Sequence, residues 1–142
     1  MTGLDCNILV QLAFQDHPAN LAAIAAVKAE VANGNALLVP SLVINEFLHA
    51  VTDAKRFNPP LTITEALDWI EGFLRNSAAK IPDTSAASSQ QTLQWIRKFN
   101  LGRKRILDTH LVAILHSAGA RRLMTSNPAD FAVFGLFEVI SP

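Results

Sequence analysis

The chain has 142 residues, of which half are hydrophobic and 17% are charged, so we expect it to bury a core of its own as a single domain over residues 1–142. Its 12 Lys and Arg residues balance 12 Asp and Glu residues, which excludes a strongly basic surface overall and requires any contact with nucleic acid to come from a local patch. The single cysteine, Cys6, excludes an internal disulfide and a cysteine-rich zinc site. No apolar run reaches the length of a membrane span, and the first residues lack the basic start and apolar core of a secretion signal. We therefore expect a cytoplasmic location and no membrane contact.

The N-terminal segment predicts a short strand followed at once by a helix. Residues 1–5 form the strand if residues 2–4 are buried and the chain turns at Asp5. After a first helix, Pro18 favours the start of a second one that runs to Ala32. In this second helix, the side chains of Lys28 and Glu30 are expected to be exposed to solvent. The residues expected to pack inward are Leu21, Ile24, Ala25, Val27 and Val31.

The next segment repeats the order of strand and helix. Residues 36–39 are a continuous apolar run, which is typical of a central parallel strand, and Pro40 stops it. Ser41 is expected to cap the following helix, which runs to Val51 and carries Glu46 in its second turn. This arrangement places one acid close to the carboxyl end of the second strand.

The middle of the chain is predicted to be mainly helical. Thr62 or Thr64 caps a helix that continues through Leu74, residues 80–82 suggest another short strand, and residues 84–100 lead into a helix along Leu93, Ile96 and Phe99. We expect Trp69, Trp95 and Phe99 to be core or interface residues rather than platforms on which bases stack.

The C-terminal segment, from Arg105 to Phe131, reads as one complete unit of helix and strand. Asp108 opens a helix with apolar residues at three-and-four spacing. Gly119 is expected to end this helix, because glycine adopts the left-handed conformation of a helix C-terminus at the least cost. Residues 122–125 predict a buried strand, and residues 137–140 predict a final strand at an edge of the sheet. This alternation predicts an α/β fold, a three-layer α/β/α sandwich around a mostly parallel sheet.

Four acids fall at places that such a fold brings to one edge of the sheet. Asp5 ends the first strand, Glu46 lies just inside the helix after the second, Asp108 opens a later helix and Asp130 follows the next strand. Carboxylates gathered there repel one another unless a cation balances them, and hard oxygen ligands favour Mg²⁺ or Mn²⁺ over zinc. Such a metal site activates water and stabilises charge on a phosphoryl group. Each acid by itself is better explained as a helix cap or a turn residue, so the prediction rests on their joint placement.

Four blocks of the sequence resemble, in order, those of PIN-domain ribonucleases, and most closely the VapC-like toxins of toxin-antitoxin pairs. The blocks are residues 4–10, residues 40–47, residues 106–113 and residues 123–131. The resemblance spans nearly the whole chain. It implies a PIN-like fold and a Mg²⁺- or Mn²⁺-dependent endoribonuclease that leaves a 5′-phosphate and a 3′-hydroxyl. It also implies RNA as substrate, a cognate antitoxin as partner, and a homodimer.

The same resemblance assigns residues to the site and marks two departures from the family pattern. Asp5, Glu46 and Asp108 match the three principal acids. Many relatives carry a fourth acid directly after the threonine-containing strand, where this chain has Asn127; Asp130 lies three residues later. Relatives usually have a hydroxyl residue at the position of Cys6, so Thr125 or Ser126 is the candidate to supply one. Asn127, Thr125 and Ser126 are therefore candidates to contact a metal-bound water or a phosphate.

Basic residues near the acids are candidates to hold RNA. The helix that carries Asp108 is directly preceded by Arg103, Lys104 and Arg105. For these three residues, the sequence supports phosphate binding and an ordinary solvated loop equally. Lys55-Arg56 and Arg121-Arg122 are further candidates, with the solvated loop favoured for Lys55 and Arg121.

The four histidines are not expected to bind the metal, since hard-metal sites of this type do not need imidazole. They are His17, His49, His110 and His116.

Two other functions remain as alternatives. A phosphatase of the haloacid-dehalogenase kind also has an acid after its first strand, but it needs a second aspartate where this chain has Asn7. A catalytically impaired PIN domain that acts as an RNA- or protein-binding module is supported only by Asn127 and Cys6.

Overall fold

Four short parallel strands form the centre of the molecule. The computed structural model describes residues 1–142 and orders the strands β2-β1-β3-β4 across the sheet, so β1 lies in the interior and β4 at an edge. The strands are β1 (Thr2–Leu4), β2 (Leu37–Leu38), β3 (Arg122–Met124) and β4 (Glu138–Ile140). The prediction of an α/β fold with a parallel sheet is confirmed, as is the edge position of the last strand.

Seven α-helices and two short 3₁₀ helices connect and cover the strands. The 3₁₀ helices are residues Arg103–Arg105 and Ala132–Phe134. The α-helices are α1 (Cys6–Ala13), α2 (Asn20–Ala32), α3 (Ser41–Val51), α4 (Ile63–Ser77), α5 (Ala86–Lys98), α6 (Ile106–Ser117) and α7 (Pro128–Phe131). Helix α6 ends as predicted, because Gly119 adopts a φ of 79°, which a residue without Cβ reaches at little cost.

Strand register fixes which residues meet at the carboxyl edge of the sheet. Leu4 of β1 is paired with Met124 of β3, and Met124 is paired with Ile140 of β4. The residues that follow β1 and β3, Asp5 and Thr125, therefore leave the sheet side by side. The fold places them in contact although 120 positions separate them in sequence.

The hydrophobic core lies between the sheet and its helices, and its tightest point is Gly3. A Cβ atom on Gly3 would lie 2.3 Å from Cδ1 of Leu115, which is fully buried on α6. Only glycine allows β1 to approach α6 this closely, so packing of the central strand depends on this residue.

Several local predictions are wrong. Helix α3 starts at Ser41 itself, with Pro40 before it and no side-chain cap, so Ser41 is not the N-cap. Residues 80–82 form no strand; Lys80 alone makes a bridge to Leu38. Thr62 does cap α4, through a complete capping box with Glu65.

The predicted inner face of α2 is also wrong in part. Leu21 is 80% exposed and Val31 is 47% exposed, although both were expected to pack inward. Apolar residues occur on all sides of this alanine-rich helix, so periodicity alone does not define its buried face. On α5, Leu93 is likewise exposed.

Glu30 of α2 is buried instead of solvated. Its carboxylate accepts hydrogen bonds from Thr2 Oγ1, from Asn35 Nδ2 at 3.1 Å and from Arg122 Nη1 at 2.5 Å. Arg122 also makes a two-pronged pair with Glu138 on β4, at 3.0 and 2.6 Å. This ion-pair network connects α2 to the amino ends of β1, β3 and β4, at the edge of the sheet opposite Asp5.

Candidate active site at the carboxyl edge of the sheet

The Asp5 carboxylate is held in place by hydrogen bonds. It caps α1, where its Oδ1 accepts the Cys6 backbone N–H at 2.7 Å. Its Oδ2 accepts from Asn7 Nδ2 at 2.8 Å and from Thr125 Oγ1 at 2.6 Å. Three donors therefore hold a carboxylate that is only 9% exposed. Both readings of Asp5 apply: it is a helix cap and it lies at the acid edge.

Thr125 and Asn7 connect β3 to β1 at this point. The Thr125 hydroxyl accepts from Asn7 Nδ2 at 3.2 Å and from the Asn127 backbone N–H at 3.0 Å. Asn7 Oδ1 accepts the backbone N–H of Ser126 at 3.1 Å. Thr125 thus supplies the hydroxyl next to Asp5 that Cys6 lacks, whereas the Ser126 side chain accepts from Gln11 Nε2 at 2.5 Å. Asn7 contributes to the site by hydrogen bonding, a role the sequence did not reveal.

Glu46 and Asp108 lie on the walls of the same cavity as Asp5. The cavity has a volume of about 280 Å³, and Asn127 also lines it. Glu46 comes from the second turn of α3, where it is exposed, and Asp108 comes from the first turn of α6, where it is half-buried. The fold therefore brings the three principal acids of the sequence prediction to this one cavity, the acid cavity.

The electrostatics of the cavity disfavour so much negative charge. Burial raises the pKa of Asp5 above its ordinary value, against the lowering effect of its three hydrogen bonds. The pKa values of Glu46 and Asp108 are raised as well, first by burial and then by the charge of Asp5. A cation in the cavity would relieve this repulsion.

Asp130 is close to these acids but is paired with an arginine. Arg105 Nη1 lies 3.2 Å from Asp130 Oδ1, and Arg105 Nε lies 3.3 Å from Asp108 Oδ2. The negative charge of Asp130 contributes to the raised pKa of Asp5 and Asp108. Asp130 does not line the cavity, whereas Asn127 does.

The predicted RNA-binding residues divide into two kinds. Arg103 and Lys104 are exposed in the 3₁₀ helix before α6. The Arg105 side chain is only 23% exposed and forms ion pairs with Asp108 and Asp130, so it is less accessible to RNA. Among the other basic residues, Arg56 is on the wall of the acid cavity, together with Phe57 and His17.

Three of the histidines and the predicted core aromatic residues lie outside the cavity. His49, His110 and His116 do not line the acid cavity. The aromatic residues pack against the core: Trp69 stacks on Phe73 at 5.4 Å, and Phe99 meets Phe134 edge-on at 5.7 Å. Gln11, His17, Arg56 and Phe57 are the cavity residues that sequence reasoning missed or ranked low. No local pattern marks them, because three of them lie in or near loops whose course only the fold decides.

The donor set fits a hard divalent cation. The cavity offers carboxylate and amide oxygens, and His17 is the one imidazole on its wall. Cys6 is buried and burial raises the pKa of its thiol, so the cavity holds no thiolate. In the side-chain conformations of this structure, no three acidic, histidine or cysteine side chains close around one point. Asp5 is held by three hydrogen bonds, whereas the Glu46 carboxylate makes no hydrogen bond in the protein and Asp108 pairs with Arg105.

Comparison by sequence identifies no relatives: neither a protein-family model nor a curated protein matches the chain. Solved structures do share its fold. VapBC2 from Rickettsia felis, bound to a DNA fragment from its promoter, superposes with a TM-score of 0.70 at 18% identity, over 99% of this chain and 98% of that one. VapC20 of Mycobacterium tuberculosis, a sarcin-ricin loop cleaving toxin, gives 0.70 at 14% identity over the whole of both chains. VapBC-1 from nontypeable Haemophilus influenzae gives 0.69 at 14%, over 99% and 96%.

These likenesses establish the fold. The chain has the PIN-like α/β fold of the VapC proteins along its full described length, which confirms the fold expected from the four sequence blocks. None of its helices has the length and apolarity that crossing a membrane requires.

Proposed function

We propose that this chain is a Mg²⁺- or Mn²⁺-dependent endoribonuclease and the toxin of a toxin-antitoxin pair. The observation that carries the proposal is the gathering of Asp5, Glu46 and Asp108 on one cavity, where each has a raised pKa. Several acids with raised pKa values on one cavity are typical of a functional site, and a cation would balance their charge. The shared fold with VapC20, which cleaves the sarcin-ricin loop, supports cleavage of RNA.

The residues present have distinct roles in this proposal. Asp5, Glu46 and Asp108 would hold the metal, and Asp130 is the candidate fourth acid. When bound, the metal would activate water and stabilise the charge that develops on the phosphodiester. Thr125 and Asn7 keep the Asp5 carboxylate in one orientation. Asn127, with its amide on the cavity wall, would contact a phosphate oxygen or a water.

The Asp108–Arg105–Asp130 ion pairs bear on how many metals bind. Asp130 is turned to Arg105 and not to the cavity, so we propose one principal metal position, formed by the other three acids. Recruiting Asp130 to a second metal would require breaking its pair with Arg105.

The partners follow from the same comparison. Two of the similar structures are VapBC complexes, which supports a cognate antitoxin as partner. We also propose a homodimer and RNA contacts at the exposed Arg103 and Lys104, both from the resemblance and the sequence. Arg105 is not available for RNA in the same way, because it pairs with acids.

The test is the substitution of one acid that leaves the fold intact. Asp108→Asn removes a ligand from the half-exposed start of α6, so we expect it to fold normally and to lose on the order of a hundredfold in RNA cleavage with Mg²⁺. Asp83→Asn, on an exposed loop away from the cavity, is the matched control and should cleave as wild type. Full activity of the Asp108→Asn variant would refute the assignment.

A PIN domain without catalysis is the second candidate, and one observation favours it. Asn127 stands at the cavity where many relatives carry an acid, while Asp130 is held by Arg105. Calorimetric titration with Mn²⁺ separates the two functions. A nuclease should bind Mn²⁺ at millimolar or better affinity and lose that binding in Asp5→Asn, whereas a binding module should show no binding that depends on Asp5.

A further inference from the structure

A second cavity adjoins the acid cavity, and none of the four acids assigned to the metal lines it. It has a volume of about 530 Å³, within the usual range for sites that bind small organic groups. His17, Arg56 and Phe57 line both cavities, so the two share a wall formed by the α1–α2 connection and the loop after α3. A molecule that reaches from the acids over this wall would enter the second cavity directly.

Arg56 supplies positive charge at the boundary between the cavities. Its side chain is 62% exposed, and its one acidic partner, Asp53, is 3.8 Å from Nε and only weakly engaged. The guanidinium is close enough to the acid edge to oppose the rise in the pKa of Glu46. An exposed arginine beside a cluster of acids attracts an anion that is chelated by the same metal, such as a phosphodiester.

His17 adds a directed hydrogen-bond donor on the same wall. Its Nδ1 accepts the backbone N–H of Ala19 at 3.1 Å, which requires Nδ1 to be unprotonated. In the neutral form of imidazole, a ring that accepts at Nδ1 carries its hydrogen on Nε2. Nε2 makes no hydrogen bond within the protein, so in this form its N–H is free to donate to a ligand.

The far part of the second cavity has the mixed character of a base-binding pocket. Phe14 and Phe57 stack with centroids 4.2 Å apart and planes 8° from parallel, which makes a rigid aromatic wall. Asn58 and Asp16 contribute exposed polar groups of the kind that can hydrogen-bond to base edges. The other acid, Glu65, is already engaged with Thr62 in the capping box. Aromatic walls with a few polar groups and one cation bind single-stranded nucleic acid.

We propose that this cavity receives the unpaired base of the nucleotide next to the scissile phosphate, while Arg56 contacts the phosphate between the two cavities and His17 donates to the sugar or phosphate. This inference rests on the proposed function, since it takes RNA to be the substrate. It assigns base selectivity to the region of Phe14, Phe57 and Asn58 rather than to the basic residues before α6.

The test uses nuclear magnetic resonance on the ¹⁵N-labelled full chain in EDTA. Adenosine, guanosine, cytidine and uridine 5′-monophosphates are the probes, and ribose 5-phosphate is the probe that has the phosphate but no base. We expect at least one nucleotide to shift the amides of residues 57–61 and His17, and ribose 5-phosphate to shift them much less. Phe57→Leu should weaken nucleotide binding about tenfold through lost stacking. Phe73→Leu, an aromatic in a separate groove between α2 and α4, is its control and should bind as wild type.

A kinetic measurement keeps the inference independent of whether Phe57→Leu folds. Arg56→Gln changes an exposed side chain, and it should raise KM for a short single-stranded RNA several-fold with little change in kcat. Lys55→Gln is the adjacent control, because Lys55 is exposed and lines neither cavity.

The outcomes distinguish this inference from the proposed function. RNA cleavage without nucleotide shifts at residues 57–61 would overturn the base pocket and leave the nuclease standing. Nucleotide shifts at these residues without any cleavage would support the pocket and overturn the nuclease. Amide shifts that appear only on raising the protein concentration would identify a contact between copies of this chain and overturn the inference.

Discussion

Replacing Thr125 with valine tests whether Asp5 is held by a charge-assisted hydrogen bond. Valine keeps the shape of this fully buried side chain and removes its hydroxyl. The change removes the 2.6 Å bond to Asp5, and it takes an acceptor from Asn7 and from the Asn127 backbone. Asn7 keeps its bond to Asp5 and the Asn127 N–H is only partly buried, so the charged bond dominates the loss. We expect the free energy of unfolding at neutral pH to fall by about 2 to 3 kcal/mol.

The loss should depend on pH, and its sign follows from the pKa of Asp5. Burial raises this pKa above its ordinary 3.8, so ionisation of Asp5 opposes folding and stability falls as the pH rises through the folded-state pKa. The Thr125 bond lowers the pKa of Asp5, so its removal raises that pKa further. The penalty of Thr125→Val is therefore full above the new pKa. It should shrink as the pH falls through that pKa, towards about 1 kcal/mol once Asp5 is protonated and only neutral bonds are lost.

Urea unfolding in EDTA, followed by tryptophan fluorescence at pH 7 and at an acidic pH below the pKa of Asp5, measures this difference. The control is Thr92→Val on α5, whose buried hydroxyl donates to the Ser88 backbone oxygen and meets no carboxylate. Its loss in stability should be the same at both pH values. A loss for Thr125→Val that is below 0.5 kcal/mol, or that stays equal at the two pH values, would refute the reasoning.

Three further substitutions test other parts of the structure. Glu30→Gln removes the buried charge that faces Arg122, so we expect Tm to fall by about 5 °C in calorimetry, and an unchanged Tm would show that the pair is dispensable. Gly3→Ala forces a Cβ against the buried Leu115 and should cost about 1 to 3 kcal/mol of stability in urea unfolding; a neutral or stabilising result would contradict the close packing. Arg105→Met removes a positive charge from the acid edge, so calorimetry should show Mn²⁺ binding about two- to fivefold tighter, whereas weaker binding would mean that this arginine positions the acids for the metal.

The sequence alone predicted the order of elements well because the local signals agreed. Apolar runs, Gly119 and the capping box at Thr62 are short-range features, and each specifies a boundary through neighbours within a few residues. Ser41 shows the limit of such signals. It has the right residue type for a cap, but the chain starts the helix at that residue and leaves its side chain exposed.

The face that a helix buries was predicted less well. On α2, Glu30 is buried and Leu21 is exposed, the reverse of the prediction. Glu30 is buried because it pairs with Arg122, which is 92 positions away in sequence. A charged residue becomes cheap to bury only when a distant strand supplies the opposite charge and hydrogen bonds. No periodicity within α2 contains that information.

For the candidate site, the sequence by itself predicted that Asp5, Glu46 and Asp108 meet, because they lie at the strand and helix ends that a parallel sheet brings to one edge. Only the tertiary structure decided what surrounds them. The parallel register of β1 and β3 set Thr125 against Asp5. The 3₁₀ helix before α6 brought Arg105 to Asp130 of α7, and the loop after α3 placed Arg56 on the cavity wall. These contacts join residues far apart in the chain, and their geometry is set by packing, which local sequence patterns do not encode.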